Sequence, residues 1–340
     1  MIELNAESAH SYLASRPEAP PGPWTVRALG GGVSNTVLLA ESAGTRLVLK
    51  QSLGKLRVEQ DWYADRGRIR RECAALRDLA PLMPEGAVPT VLWEDAANSL
   101  FAMTAAGEGA VDWKSLLLAG EASEEIAAYV GSLLAAQIRV SWQSAEWRER
   151  FGDRTNFEQL RLDPYYRATA ERHRDLAPRF HRLIDDCMGR PCALTHGDWS
   201  PKNFLVEGDA VMAIDYEIIH FGDPSFDAAF LLNHLVLKSF HRPALAPALS
   251  VLARRFWETL RHEMPRSTAW FEAATVEHLG CLMLARVDGK SPAEYLSEDD
   301  RTQVRQFARR LILDPPSTVT DVFLLLGRGL NRSSRAHGRG

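Results

Sequence analysis

The apolar positions of the chain change their period once. Up to Met103 they alternate in short runs: "WTVRALGGGVSNTVLLAES" reads as two strands around a glycine turn, "TRLVLKQ" as a third, and "VPTVLWEDAANSLFAM" as two more. Between the third and fourth, after the charged loop "GKLRVEQDWYADRG", Ile69, Cys73, Leu76 and Ala80 recur at helical spacing. A short amphipathic helix, "NAESAHSYLASR", precedes the strands and is closed by the proline-rich "PEAPPGP". Beyond the small-residue linker "TAAGEGAVDW" nearly everything carries helical periodicity, for example "EASEEIAAYVGSLLAAQIRVSW", "FEQLRLDPYYRATAERH" and "FDAAFLLNHLVLKSF". One β-type interruption, "NFLVEGDAVMAIDYE", is two apolar runs joined by "EGD" and predicts a hairpin. The pattern predicts an α+β protein of two lobes. Residues 1–104 form a small five-stranded antiparallel sheet with one major helix, and residues 105–340 a larger, mainly helical lobe.

Composition narrows the functional classes. With 340 residues, 46% hydrophobic and 25% charged, the chain has enough apolar content for a sizeable core. A net charge of −4 supplies no bulk field for nucleic acid or a membrane surface, so neither is an expected partner. The basic tail "GRGLNRSSRAHGRG" reads as a solvated terminus. Four cysteines without a C-x-x-C pair read as free thiols rather than a zinc site. No signal peptide is visible, and the apolar stretches fall short of the roughly 18 residues of a membrane span. A cytoplasmic protein is expected, and nothing in the sequence bears on its oligomeric state.

The predicted hairpin carries chemistry at both ends. Asp198 and Asn203 precede its first strand in "LTHGDWSPKNFLV", and Asp215 and Glu217 follow its second. Carboxylate and amide oxygens suit a hard divalent cation that keeps waters and phosphates as further ligands, as Mg2+ does. The order H-x-D-x-x-x-x-N, then a second aspartate after a hairpin, is the protein-kinase arrangement of catalytic loop and metal-binding aspartate. Asp198 would orient and deprotonate an attacking hydroxyl, with Asn203 and Asp215 as ligands of the Mg2+ that bridges the phosphates of ATP. Upstream, "GGGVSN" (residues 30–35, including Gly31, Gly32, Ser34 and Asn35) could fold over phosphates through its backbone N–H groups, or be an ordinary hairpin turn. Lys50 ends an alternating strand where kinases place the lysine that contacts the α- and β-phosphates, and Glu72 on the next helix could pair with it; Glu59 is its rival.

"LTHGDWSPKNFLV" followed by "MAIDYEIIHFGDPSFDAAFLLNHL" resembles the aminoglycoside phosphotransferase and choline kinase family, small-molecule kinases on the protein-kinase fold. The glycine after the histidine is typical of that family. The resemblance runs from about Leu29 to Pro316, and "GGGVSNTV", "LVLKQ" and "RIRRE" are more loosely similar to methylthioribose kinases. It implies a bilobal kinase-like fold, Asp198 as catalytic aspartate, and Asn203 and Asp215 as metal ligands. It further implies Lys50 and Glu72 as the nucleotide-lobe pair, Met103, Thr104 and Ala105 as the adenine-contacting hinge, and His196 as a structural tie. Asp227 resembles a supporting aspartate behind the loop and also fits a helix cap. Glu217 makes a D-x-E motif, either a further Mg2+ ligand or an exposed acid.

Lys202 resembles the lysine that some protein kinases use to neutralise the transferred phosphoryl, or it points to solvent. Arg286 or Lys290, in "LARVDGKSPAEYL", could contact substrate, or both belong to a charged helix end. The expected reaction is transfer of the γ-phosphoryl of ATP to a hydroxyl of a small molecule such as a sugar, amino alcohol or aminoglycoside. The arginines of "RLDPYYRATAERHRDLAPRFHR" speak mildly against a polycationic acceptor. A non-catalytic nucleotide-binding scaffold and a protein-directed kinase are the two alternatives.

Overall fold

A computed structural model describes residues 2–30, 35–42, 44–52 and 67–337, with side chains through Leu330. The chain divides into two compact units. The first comprises Met1–Ala110 with Met212–Glu217, and the second Val111–Val211 with Ile218–Gly340.

The first unit is built on β1 (Thr25–Ala28), β2 (Asn35–Ser42), β3 (Thr45–Ser52), β4 (Val91–Asp95) and β5 (Leu100–Thr104), an antiparallel sheet in the order β1-β2-β3-β5-β4. Alternate side chains leave a strand on opposite faces. Leu38 and Ala40, Leu47 and Leu49, and Leu100 and Ala102 therefore enter one core with Trp93. Helix α1 (Ala6–Ala14) closes that core with Ala9, Tyr12 and Leu13. Its start is fixed by a capping box, in which Asn5 and Ser8 each accept the other's backbone N–H. Helix α2 (Gly67–Leu79) buries Ile69, Cys73 and Leu76, the stripe that the sequence predicts.

The second unit begins with β6 (Val111–Asp112), α3 (Trp113–Ala119), α4 (Glu124–Ser141) and α5 (Ala145–Phe151). A continuous helical run follows: α6 (Thr155–Phe157), a π-helical stretch Glu158–Arg167, and α7 (Ala168–Arg172). Pro164 stands inside it, a residue with no N–H to continue an i→i−4 ladder. Next come α8 (Ala177–Gly189), β7 (Ala193–Thr195), the hairpin β8 (Phe204–Glu207) and β9 (Ala210–Ala213), and β10 (His220–Gly222). Helices α9 (Ser225–His241), α10 (Ala246–Glu263), α11 (Phe271–Asp288), α12 (Glu298–Leu313) and α13 (Val319–His337) complete it. The hairpin stands as expected, with Gly208 at φ 57° in its turn. Two pairings escape the sequence pattern, β6 with β8 and β7 with β10. The second sets His220 opposite Thr195, so the strand before the H-G-D motif is clamped by the one after the hairpin. Among the described residues no helix is long and apolar enough to cross a membrane.

Candidate active site

Lys50 follows Leu49 on β3, so its side chain leaves the sheet on the face opposite the α1 core. There it meets α2. The ammonium lies 2.8 and 2.7 Å from the two oxygens of Glu72 and 2.8 Å from Oδ1 of Asp215. Lys50 is 4% exposed and Glu72 0%, a depth at which charges persist only when paired. Burial alone would lower the lysine, but the Asp215 and Glu72 carboxylates outweigh it and hold Lys50 well above its ordinary value. Burial pushes Glu72 up to about 7, against the pull of Lys50. Glu72 also accepts the backbone N–H of Tyr216 at 3.2 Å, which fixes the segment after the hairpin to α2. Asp215 has φ 72°, a left-handed conformation that aspartate tolerates better than most residues. Glu217 accepts from the Asn35 amide at 3.0 Å and lies 3.7 Å from Arg68, with its side chain 14% exposed, so it is not an exposed acid.

In the second unit the loop after β7 is shaped by Gly197, at φ 79°, where a Cβ would stand 2.7 Å from Cγ2 of Ile218. Both conditions make any side chain there strained. Asp227, in the first turn of α9, accepts the N–H groups of His196 at 2.6 Å and Gly197 at 2.8 Å. Burial pushes its carboxyl up to about 7 in spite of these bonds. His196 Nδ1 accepts the N–H of Asp198, and the fully buried Trp199 packs edge-on against His196 and Phe204, joining the loop to the first strand of the hairpin. Asn203 donates its amide to the Asp198 carbonyl at 2.9 Å, leaving its amide oxygen as an acceptor.

The Asp198 carboxylate receives two cations on one oxygen, with Lys202 Nζ at 2.9 Å and Arg161 Nη2 at 3.1 Å from Oδ2. Burial would raise Asp198, but Lys202 and Arg161 together hold it well below the usual carboxylate range. Arg161 also donates through Nε to the Gly197 carbonyl at 2.6 Å. It stands in the π-helical stretch, within an arginine-rich segment whose sequence carries no sign that one member is buried against an aspartate.

The expected site residues thus gather in two sets. Lys50, Glu72 and Asp215 come together in the first unit, with Asn35 beside Glu217; Asp198, Lys202 and Asn203 come together in the second. Met103 is buried opposite Val48, and Thr104 exchanges bonds with Thr90, its N–H donating to the Thr90 carbonyl and its Oγ1 accepting the Thr90 N–H. Ala105 follows, half-buried. Gly31, Gly32, Ser34 and Glu59 lie outside the described residues. Of the downstream basic pair, Arg286 is buried and Lys290 exposed. All four cysteines are free and buried. Cys187 lies with Asp223 and His278, the one group outside these sets with metal-ligand chemistry among the described residues. Asp223 is already engaged by Arg190 and Ser225, and His278 by the Tyr166 hydroxyl.

A model of the phosphotransferase enzyme family matches residues 25–254, more than half of the chain. The chain belongs to this family. No curated protein matches this chain. Among solved structures it is similar to a choline/ethanolamine kinase family protein from Mesorhizobium loti, with 18% identity, coverage of 95% of this chain and 98% of that one, and a TM-score of 0.56. It is also similar to the amicoumacin kinase hAmiN in complex with AMP-PNP, Ca2+ and Ami, at 18% identity, 95% and 97% coverage and a TM-score of 0.57. The streptomycin-ATP-APH(2")-IIa ternary complex follows at 14% identity, 90% and 97% coverage and a TM-score of 0.51. The chain shares their kinase-like fold.

Proposed function

We propose that this phosphotransferase is an ATP- and Mg2+-dependent kinase that moves the γ-phosphoryl to a hydroxyl of a small molecule. The observation that carries this reading is the buried Lys50 ammonium held by both Glu72 and Asp215. A lysine fixed by a helix glutamate is how kinases hold the α- and β-phosphates, and the aspartate after the hairpin is their metal ligand. The nucleotide lobe is then 1–104, to which the structural unit adds 105–110 and 212–217. Gly31, Gly32, Ser34 and Asn35 would cover the phosphates, and Met103, Thr104 and Ala105 would border the adenine. Asn203, Asp215 and Glu217 offer oxygen ligands only, the donor set that Mg2+ prefers. When bound, that ion neutralises charge on the phosphates.

The residues of the second unit would handle the acceptor. Arg161 and Lys202 both sit on Oδ2 of Asp198, so Oδ1 would receive the acceptor hydroxyl. A carboxylate held so far below its usual range is a weak base. Asp198 therefore orients the hydroxyl and takes its proton late, once the bond from the γ-phosphoryl to the leaving ADP is largely broken. Lys202, half exposed, would turn to the transferred phosphoryl. A small acceptor fits the chain between Asp215 and α9, whose only regular element is β10, too short for an activation segment. ATP in the APH(2")-IIa complex and AMP-PNP with Ca2+ on hAmiN are of the same kind. Four free thiols and a need for ATP go with a cytoplasmic place of action.

The test is ADP release from Mg-ATP over a panel of sugars, amino alcohols, aminoglycosides and hydroxy acids, with D198N beside the wild type. Turnover should fall about 10^2- to 10^4-fold in D198N while ATP binding persists. Turnover unchanged in D198N would remove Asp198 from the reaction, and ATP bound without transfer to any acceptor class would reject the kinase in favour of a scaffold.

A further inference from the structure

Near Asp198 the second unit buries more positive charge than phosphoryl transfer uses. One face of α9 carries Phe230, His234 and Lys238 at successive i+4 positions. Arg161, already on Asp198, lies over the Phe230 ring at 5.5 Å, and Phe230 meets His234 at 5.4 Å. The stripe therefore starts at Asp198. Burial, with the charges of Lys238 and Arg286, pushes His234 well below its ordinary value, while Asp198 pulls it upward.

Lys238 is 2% exposed, and its Nζ has no hydrogen-bond partner among the described residues. Its contact is the Tyr295 ring at 5.5 Å. Arg286, on α11, gives Nη1 to the carbonyl and hydroxyl of Ser291 at 2.5 and 3.0 Å, and its Nε is buried without a partner. The Tyr295 hydroxyl is likewise buried and has no partner among the described residues. Carboxylates are close by but taken. Asp198 has Arg161 and Lys202, Glu294 has Lys114 at 2.7 Å, and Asp112 caps α3 through Ser115. Among the described residues Lys238 and Arg286 are left without one. Burial, with the charges of Lys114 and Arg286, pushes Lys238 down to about 7. Packing gives no reason to keep such a cation, since an apolar side chain of that volume would be as stable or more so.

We propose that the acceptor is an alcohol bearing an acidic group, a carboxylate or a phosphate monoester, held by Lys238, Arg286 and Tyr295 while its hydroxyl meets Asp198. This rests on the kinase reading and names the substrate class of the same site. Three buried donors of which two are cationic are the complement of an oxyanion, whereas a choline-like or aminoglycoside-like cation would meet like charge. From Phe230 to Lys238 is eight residues, about 12 Å of helix. Helical side chains lean toward the N-terminus, which shortens that span to one sugar-sized molecule.

Inorganic phosphate and acetate serve as probes, read by thermal shift and calorimetry on the full chain. Both should stabilise the wild type; K238M should bind them about tenfold or more weakly, and K238R should recover part of the loss. Without added anion K238M should melt no lower than the wild type. ADP release is then compared for D-gluconate and D-glucose 6-phosphate against D-glucose and D-glucosamine. A preference for the acidic acceptors that K238M abolishes supports the proposal, and the better acid tells carboxylate from phosphate. Anion binding that depends on Lys238, without transfer to any alcohol, keeps the anion site and rejects the kinase. Equal turnover of neutral and acidic alcohols, unaltered in K238M, keeps the kinase and overturns the proposal. No anion-dependent shift, a shift equal in K238M, or a lower melting point for anion-free K238M also overturns it.

Discussion

Lys50 and Lys238 are buried almost equally, at 4% and 2% exposure, yet their surroundings move them in opposite directions. Lys50 has Glu72 and Asp215 within 3 Å and is held above its ordinary value; Lys238 has an aromatic ring and two neighbouring cations and falls to about 7. Desolvation acts on both. What separates them is whether the fold supplies carboxylates, and a lysine buried without them keeps its charge only when a counterpart arrives from outside.

The comparison would break most visibly at Lys50. K50M takes the buried ammonium away from Glu72 and Asp215 and should cost about 3–5 kcal/mol, read as a lower denaturation midpoint at pH 8. Without Lys50 the Glu72 carboxyl rises further above its wild-type value of about 7, so the deficit should shrink as pH falls toward 7 and level off below it, where Glu72 is protonated in both proteins; a K50M protein as stable as the wild type at pH 8 would mean that the pair is idle. K238M should act in the opposite sense, gaining about 1–4 kcal/mol in the absence of anions. G197A disturbs the catalytic loop without touching any charge: with φ 79° and Ile218 in the way, it should cost about 1–3 kcal/mol and lower turnover with it. If turnover survives G197A, the loop does not set the position of Asp198.

The smallest effect concerns pH. Between about 7, the folded value for Lys238, and 10.5, its ordinary value, the folded state binds fewer protons than the unfolded chain, so wild-type stability rises with pH over that interval. The advantage of K238M should be widest below pH 7 and close toward pH 10. Parallel stability curves for the two proteins would show that Lys238 does not titrate there.

Much of this was legible where chemistry is local. Alternation located the five strands, helical spacing located α2, and the H-x-D-x-x-x-x-N order with its hairpin brought Asp198, Lys202 and Asn203 into one loop. Strands of two or three residues, β6, β7 and β10, are too short to show a period, and they clamp that loop. Arg161 and Lys238 were hidden for a different reason. One sits among arginines and the other in the apolar run "FDAAFLLNHLVLKSF", and whether a cation is buried with or without a carboxylate depends on which distant segments pack around it. Asn35 with Glu217 is a contact of the same kind, between residues 182 positions apart.

Helix α9 carries Asp227 near one end, bonded to the backbone of the H-G-D loop, and Lys238 eleven residues later, about 16 Å along the axis. On the proposed reading, reactive centre and acid recognition hang from a single rod, which works as a length gauge. An acceptor of another size cannot be accommodated by shifting the loop alone. Moving the cation one turn, with His234→Lys and Lys238→Met together, would recalibrate the gauge toward acceptors about 5 Å shorter, readable as a shift in preferred length along a series of ω-hydroxy acids.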